Sequence, residues 1–230
     1  MIITDLENNK SLQMNEPKIQ AVIFDIDGTL ADSVPLIIAA FRKAVEPLVK
    51  RSLSDEEIME SFGPDEEGSV KKIAPNDYKK GTKDFLDNYE AMHDMCSLPF
   101  NGITDLLQML KDKGVHLAIA TGKSKYTSDF SLKCFKLTSY FEQIQHGSPD
   151  GSRKVEAIHE ILQSFGDVEA EAVVYAGDSK ADIKESKEAG VKAVAAAWAS
   201  TVKKEELKAE NPDAFFETVD AFCDWLKKRI

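Results

Sequence analysis

The stretch Ala21-Val22-Ile23-Phe24-Asp25-Ile26-Asp27-Gly28-Thr29-Leu30 runs apolar residues straight into two carboxylates and a Gly-Thr turn. Its first four residues are of the kind that fill a strand buried on both faces, as in a parallel sheet. Gly28 lets the backbone turn where a side chain would obstruct it. Residues two apart on an extended chain point the same way, so Asp25 and Asp27 share one small space. Carboxylates that close repel unless a cation or a proton separates them. An EF-hand loop also begins Asp-x-Asp, but counted from Asp25 it needs Gly at position 30 and Glu at position 36. Both positions are Leu.

Downstream of this strand the pattern turns helical from Asp32 to about Leu98. An amphipathic helix is predicted over 34–50, with Pro35 in its first turn, where proline is tolerated. Ser54-Asp55-Glu56-Glu57 carries a capping-box signature ahead of a short second helix. Phe62-Gly63-Pro64 breaks that helix, and further helices are predicted over 65–73 and 76–95. This segment has the character of a small helical module inserted after the first strand. From residue 99 strands and helices alternate, with strands at 115–120, 141–145, 172–176, 191–196 and 214–217. Helices at 102–113, 124–136, 153–165, 180–189 and 203–209 and a terminal helix to about 228 complete the pattern. Such alternation implies right-handed crossovers and a doubly wound, Rossmann-like parallel α/β sheet.

In such a sheet ligands bind outside the carboxyl ends of the strands. Behind the strand at 115–120 come Thr121-Gly122-Lys123-Ser124, and behind that at 172–176 come Gly177-Asp178-Ser179-Lys180-Ala181-Asp182. Each is a short polar turn opening a helix, where free backbone N–H groups favour anions. Gly122-Lys123-Ser124 is not a nucleotide P-loop, because Leu117 stands where the first glycine is needed. No G-x-G-x-x-G follows any strand, so dinucleotide binding has little support.

The 230 residues carry a net charge of −11, which argues against a general binder of nucleic acid or anionic membrane. No segment approaches the roughly 20 apolar residues of a membrane span. Cys96, Cys134 and Cys223 form no C-x-x-C pair and fit free thiols in a reducing compartment, so a cytoplasmic protein is expected. Residues 1–18 are polar, with no signal-peptide pattern, and are expected to be a loose leader. Oligomeric state is not legible.

These motifs together resemble the haloacid dehalogenase superfamily of phosphohydrolases, in its phosphoglycolate-phosphatase-like branch with a helical cap. Asp25-x-Asp27-Gly28-Thr29 matches the first motif, Thr121 in Ala-Thr-Gly-Lys the second, and Asp178 and Asp182 in Gly-Asp-Ser-x-x-Asp the fourth. The third, a lysine near a helix start, falls on Lys154, with Arg153 as the alternative. The resemblance implies a core of residues 19–31 and 99–230 and a cap of residues 32–98 hinged near Ala31-Asp32 and Leu98-Pro99. It implies a Mg2+-dependent phosphatase for a small phosphorylated metabolite, phosphoglycolate being the nominal substrate. Asp25 would be the nucleophile and Asp27 the proton carrier. Mg2+ would sit between the Asp25 carboxylate, the Asp27 backbone carbonyl and Asp178, with Asp182 orienting its neighbours. Thr121, Gly122 and Lys154 would hold the phosphoryl group, and Phe62, Gly63 and Lys71 in the cap would bear on specificity.

Asp27 separates this pattern from true dehalogenases and phosphonate-cleaving relatives, which lack an acid there. A phosphosugar mutase, a nucleotidase and a pyrophosphatase of the same superfamily remain alternatives. The remote alternatives are a non-catalytic binding protein on this fold and a signalling receiver domain, whose phosphorylated Asp follows the third strand and whose first crossover no helical module interrupts.

Overall fold

The computed structural model describes residues 17–230, so the expected leader lies outside the described residues except for Pro17 and Lys18. Six strands form one all-parallel sheet: β1 (Ala21–Phe24), β2 (His116–Ala120), β3 (Gln143–Gln145), β4 (Val173–Gly177), β5 (Lys192–Ala196) and β6 (Ala214–Phe216). Their spatial order is β3-β2-β1-β4-β5-β6, so β1 sits between β2 and β4, where the winding reverses. Phe24 lies opposite Ile119 on one side and Ala176 on the other. The polar turns that follow β1, β2 and β4 therefore meet at one edge of the sheet.

Four consecutive buried residues in β1 confirm the two-sided burial. Val22 and Phe24 enter a cluster with Leu106 and Leu110 of α5 (Ile103–Asp112) and Phe222 of α10 (Val219–Lys227). Ala21 and Ile23 enter the opposite one, with Ile158 and Ile161 of α7 (Lys154–Ser164). Each large side chain buried this way contributes about 1.5–3 kcal/mol. The sheet flanks are completed by α6 (Lys125–Cys134), α8 (Lys180–Glu188) and α9 (Lys204–Ala209).

Between β1 and α5 stand α1 (Val34–Val49), α2 (Asp55–Glu60), α3 (Glu66–Ile73) and α4 (Tyr78–Ala91). Phe41 of α1 meets Phe85 of α4 edge-on, and Phe85 stacks on Tyr89 at 5.7 Å between ring centres. The two chain crossings lie side by side, Phe100 N donating to Leu30 O at 2.9 Å. The helix expected over 76–95 is interrupted: α4 ends at Ala91, and His93–Cys96 tightens into a 3-10 turn. Only half of the capping box at Ser54 forms. Ser54 accepts from Glu57 N, but the Glu57 carboxylate pairs with Arg51 instead of turning back. The reciprocal box is found at Ser179 and Asp182. Among the described residues no helix is long and apolar enough to cross a membrane.

Candidate active site

Asp25 leaves the end of β1 with its backbone still in the sheet, its N–H donating to Ala176 O at 3.0 Å. Its side chain is buried, accepting from Ile26 N at 2.8 Å, from Lys154 Nζ at 3.0 Å, and from the Thr121 hydroxyl. Burial pushes the Asp25 carboxyl up to about 6; Lys154 pulls it down, while Asp182 and Asp27 push it further up. Lys154 opens α7 and bridges Asp25 to Asp182, with only 8 % of its surface exposed. Arg153 turns the other way, to Glu160 and to the edge strand at Gln145 and His146. Of the two, Lys154 is the one that reaches the acids.

Asp182 is saturated. One oxygen receives Lys154 and the Tyr175 hydroxyl at 2.9 Å; the other receives Ser179 N at 2.9 Å and Ser179 Oγ at 2.6 Å. Burial would raise this carboxyl, but Lys154 and the Ser179 donors outweigh it and hold it below the ordinary value. Asp178 is the reverse case. Burial, then Asp182 and Asp25, push its carboxyl well above the usual range. Among the described residues only the Thr29 hydroxyl reaches it, at a long 3.5 Å. Gly28 makes room: with φ of +74°, a Cβ there would lie 2.1 Å from Asp178 Oδ2.

Asp25, Asp178 and Asp182 place carboxylate oxygens within 4.8 Å of one another. The Asp27 carboxylate is not in that group. It turns toward Ser33, which donates to it at 2.5 Å, and toward Lys123, 3.3 Å away. Three crowded carboxylates facing one ammonium leave negative charge uncompensated, and Asp178 has almost no donors. Hard oxygen donors in this number suit a small divalent cation such as Mg2+. Asp25 and Asp178 have lone pairs to offer it, whereas Asp182 has spent its own.

Thr121 is buried at the end of β2 and accepts from Lys123 N at 3.3 Å. Gly122 lies against Gly147, where a Cβ would come 2.0 Å from Gly122 O. Of the residues expected in a cap, Gly63 and Lys71 line a cavity of about 400 Å³ with Pro64, Lys72, Pro149 and Ser152. Phe62 instead packs on the apolar core, and Lys71 Nζ lies 5.4 Å over the Tyr78 ring.

Three contributors escaped the sequence reading. Lys123 has a place in the polar turn behind β2 but no role assigned there, though a lysine three residues past the end of a central strand is itself a signal. Ser33 and Tyr175 carried none: the first reads as a helix start and the second as core filling in β4.

The family described as haloacid dehalogenase-like hydrolase matches residues 22–196. The pyrophosphatase PpaX of Bacillus pumilus is 31% identical over 211 residues, spanning 87% of this chain and 93% of that protein. The PpaX of Anoxybacillus flavithermus is 28% identical over 206 residues, 86% of this chain and 93% of its own. A haloacid dehalogenase-like hydrolase structure from Streptococcus pneumoniae superposes with a TM-score of 0.75 at 26% identity, covering 90% of this chain and 98% of that one. A match over most of its length, with the acids gathered at the strand ends, places the chain in the haloacid dehalogenase-like hydrolases, as a phosphatase of that family.

Proposed function

We infer that this enzyme is a Mg2+-dependent phosphatase that hydrolyses a small phosphorylated metabolite through an aspartyl-phosphate on Asp25. The observation that carries the reading is the unequal treatment of the acids. Asp182 is satisfied, Asp178 is nearly bare, Asp25 is held by Lys154, and Asp27 is drawn aside by Lys123 and Ser33. Asp25 and Asp178 would hold the ion with the Asp27 backbone carbonyl. The bound ion supplies positive charge to the phosphoryl oxygens and lets Asp25 remain ionised.

An Asp25 oxygen attacks phosphorus. The bond to the ester oxygen breaks with its electron pair, and that oxygen leaves as the alcohol with a proton from Asp27. Asp27 then takes a proton from water as the water attacks phosphorus, releasing inorganic phosphate and the Asp25 carboxylate. Thr121, the Gly122 backbone and Lys154 hold the phosphoryl oxygens throughout. Helices of the segment 32–98 would form a lid, its crossings adjoining at Leu30 and Phe100, that excludes water from this chemistry. Gly63, Lys71 and Phe62 are its candidates for substrate choice. Three free cysteines among the described residues support a cytoplasmic, reducing location.

Phosphate release from p-nitrophenyl phosphate, with and without Mg2+, tests the mechanism. Asp25→Asn or a chelator should abolish turnover, and activity surviving either would overturn it. Pyrophosphate heads the substrate panel beside phosphoglycolate, because relatives above 30% identity carry the name pyrophosphatase. A nucleoside monophosphate belongs in the panel too. A hexose 1-phosphate included there separates hydrolysis from mutase transfer by its products.

A further inference from the structure

Lys123 is a charged side chain with 4 % of its surface exposed, at the meeting of sheet and inserted helices. Its ammonium lies 3.3 Å from both oxygens of Asp27, donates to the Tyr89 hydroxyl at 3.1 Å, and rests 4.4 Å from the centre of the Tyr89 ring. The hydroxyl chain beyond it has a fixed direction. Ser131 Oγ spends its proton on Thr127 O at 2.8 Å, so Tyr89, which accepts from Lys123, donates to Ser131 Oγ at 2.8 Å. Lys123 thus joins the turn after β2 to the acid after β1 and to α4 of the inserted module.

Burying an ammonium is costly, and a buried ion pair is weak evidence for stability, since well-packed apolar residues often serve as well or better. The position of this pair matters more than its energy. Each acid of the first motif has its own lysine: Lys154 on Asp25 and Lys123 on Asp27. Without Lys123 the Asp27 carboxylate keeps a single donor among the described residues, Ser33, and faces the repulsion of Asp25 and its neighbours uncompensated.

We propose that Lys123 is a positioning residue for the proton transfer: it fixes the Asp27 carboxylate beside the phosphoryl site and, through Tyr89, ties that placement to the seating of α4. This rests on the reading of Asp25 as nucleophile and Asp27 as proton carrier. An acid that has lost its place matters most when the leaving oxygen is a poor leaving group, because a good one departs without a proton. The experiment is kcat/KM of the full chain with Mg2+ on aryl phosphates running from p-nitrophenyl to phenyl phosphate, for wild type, Lys123→Met, Tyr89→Phe and Asp27→Asn.

Lys123→Met should lose rate by at least about tenfold more on phenyl than on p-nitrophenyl phosphate, within the range general acid catalysis supplies. Tyr89→Phe should tilt the series the same way by less. In an Asp27→Asn background Lys123→Met should add no more than about twofold, because both changes remove one function. An equal loss across the series for Lys123→Met overturns the proposal, and so does a loss residing in KM with kcat retained, which would make Lys123 a phosphate-binding group. If Lys123→Met does not fold, the Tyr89→Phe series decides, and a flat series overturns the proposal. Asp25→Asn is the control: activity surviving it defeats the underlying mechanism, whereas its loss beside a flat Lys123→Met series defeats this proposal alone.

Discussion

At Gly28 one added methyl group would enter the space of the Asp178 carboxylate, in a backbone conformation that costs other residues about 1–2 kcal/mol. Gly28→Ala is therefore expected to lower stability by about that much and to displace Asp178. Misplacement on the ångström scale costs on the order of 10²-fold in rate. Thermal melting and kcat measured together check both effects; full activity with a lowered melting point would show that Asp178 tolerates the shift. His93 sets a different condition. Its Nε2 is buried without a partner among the described residues, and the ring lies among Tyr89, Phe130 and Phe135. Burial, then Lys123, lowers its pKa against the weaker pull of Asp27 and Asp94. As pH falls below the ordinary histidine value of about 6.5, the unfolded chain takes up a proton that the folded chain refuses. Stability falls with it, until the pH drops below the folded pKa. His93→Phe should lose less stability than wild type between pH 7 and pH 5 in denaturant melts, and parallel losses would exclude His93 as a source. Strand ends single out Asp25, Asp27, Thr121, Asp178 and Asp182 in the sequence, because a parallel sheet brings the turns behind its strands together, whereas Lys154 enters only through the family resemblance. The sequence is silent on Lys123 as a partner of Asp27, since Tyr89 within α4 and Ser33 at the N-cap of α1 complete the network through packing that no local pattern encodes.

Among the elements, α3 and α6 are joined by one side chain. Glu66, in the first turn of α3, accepts from Ser124 N at 3.0 Å and from the Thr127 hydroxyl, so it supplements the cap of α6 from the inserted module. Asp65 N adds a bond to Ser148 O at 2.8 Å, and a Cβ on Gly68 would lie 2.3 Å from Pro149 O. Glu66→Ala should cost about 0.5–2 kcal/mol, the range for a lost helix cap. It should also quicken amide exchange over residues 62–73 while β1 and β4 exchange as before. Uniform acceleration everywhere would instead mean that α3 has no opening of its own. Element type was legible from periodicity, and the ends moved where packing intervened. His93 draws the end of the 76–95 segment into an aromatic pocket as a 3-10 turn, and the expected strand over 141–145 shortens to Gln143–Gln145 behind the turn at Thr138–Tyr140. At Ser54 the sequence signature was right about the cap and silent about Arg51, which takes the glutamate away.

For the molecule as a whole, function and stability pull against each other at Asp178. The chain carries −11, and the sheet edge adds three carboxylates within 4.8 Å, one of them nearly without donors and pushed well above the usual carboxylate range by burial. At neutral pH the unfolded chain ionises Asp178 freely, while the folded chain must either ionise it in place against burial and its neighbours or keep it protonated. Either way the metal-free fold is weakened. Asp178→Asn keeps the shape and removes that penalty, so in chelator it should melt above wild type while failing to turn over substrate. Mg2+ should reverse the order. A ligand that binds only the folded state adds about 2.7 kcal/mol at a hundred times its dissociation constant, which should raise the wild-type melting temperature and leave Asp178→Asn nearly where it was. Melting curves of both proteins in chelator and across a Mg2+ series measure the four values. If Mg2+ stabilises both equally, the ion binds elsewhere on the acidic surface. If Asp178→Asn melts below wild type in chelator, the carboxylate is held by the fold itself, and the cation has no deficit to fill.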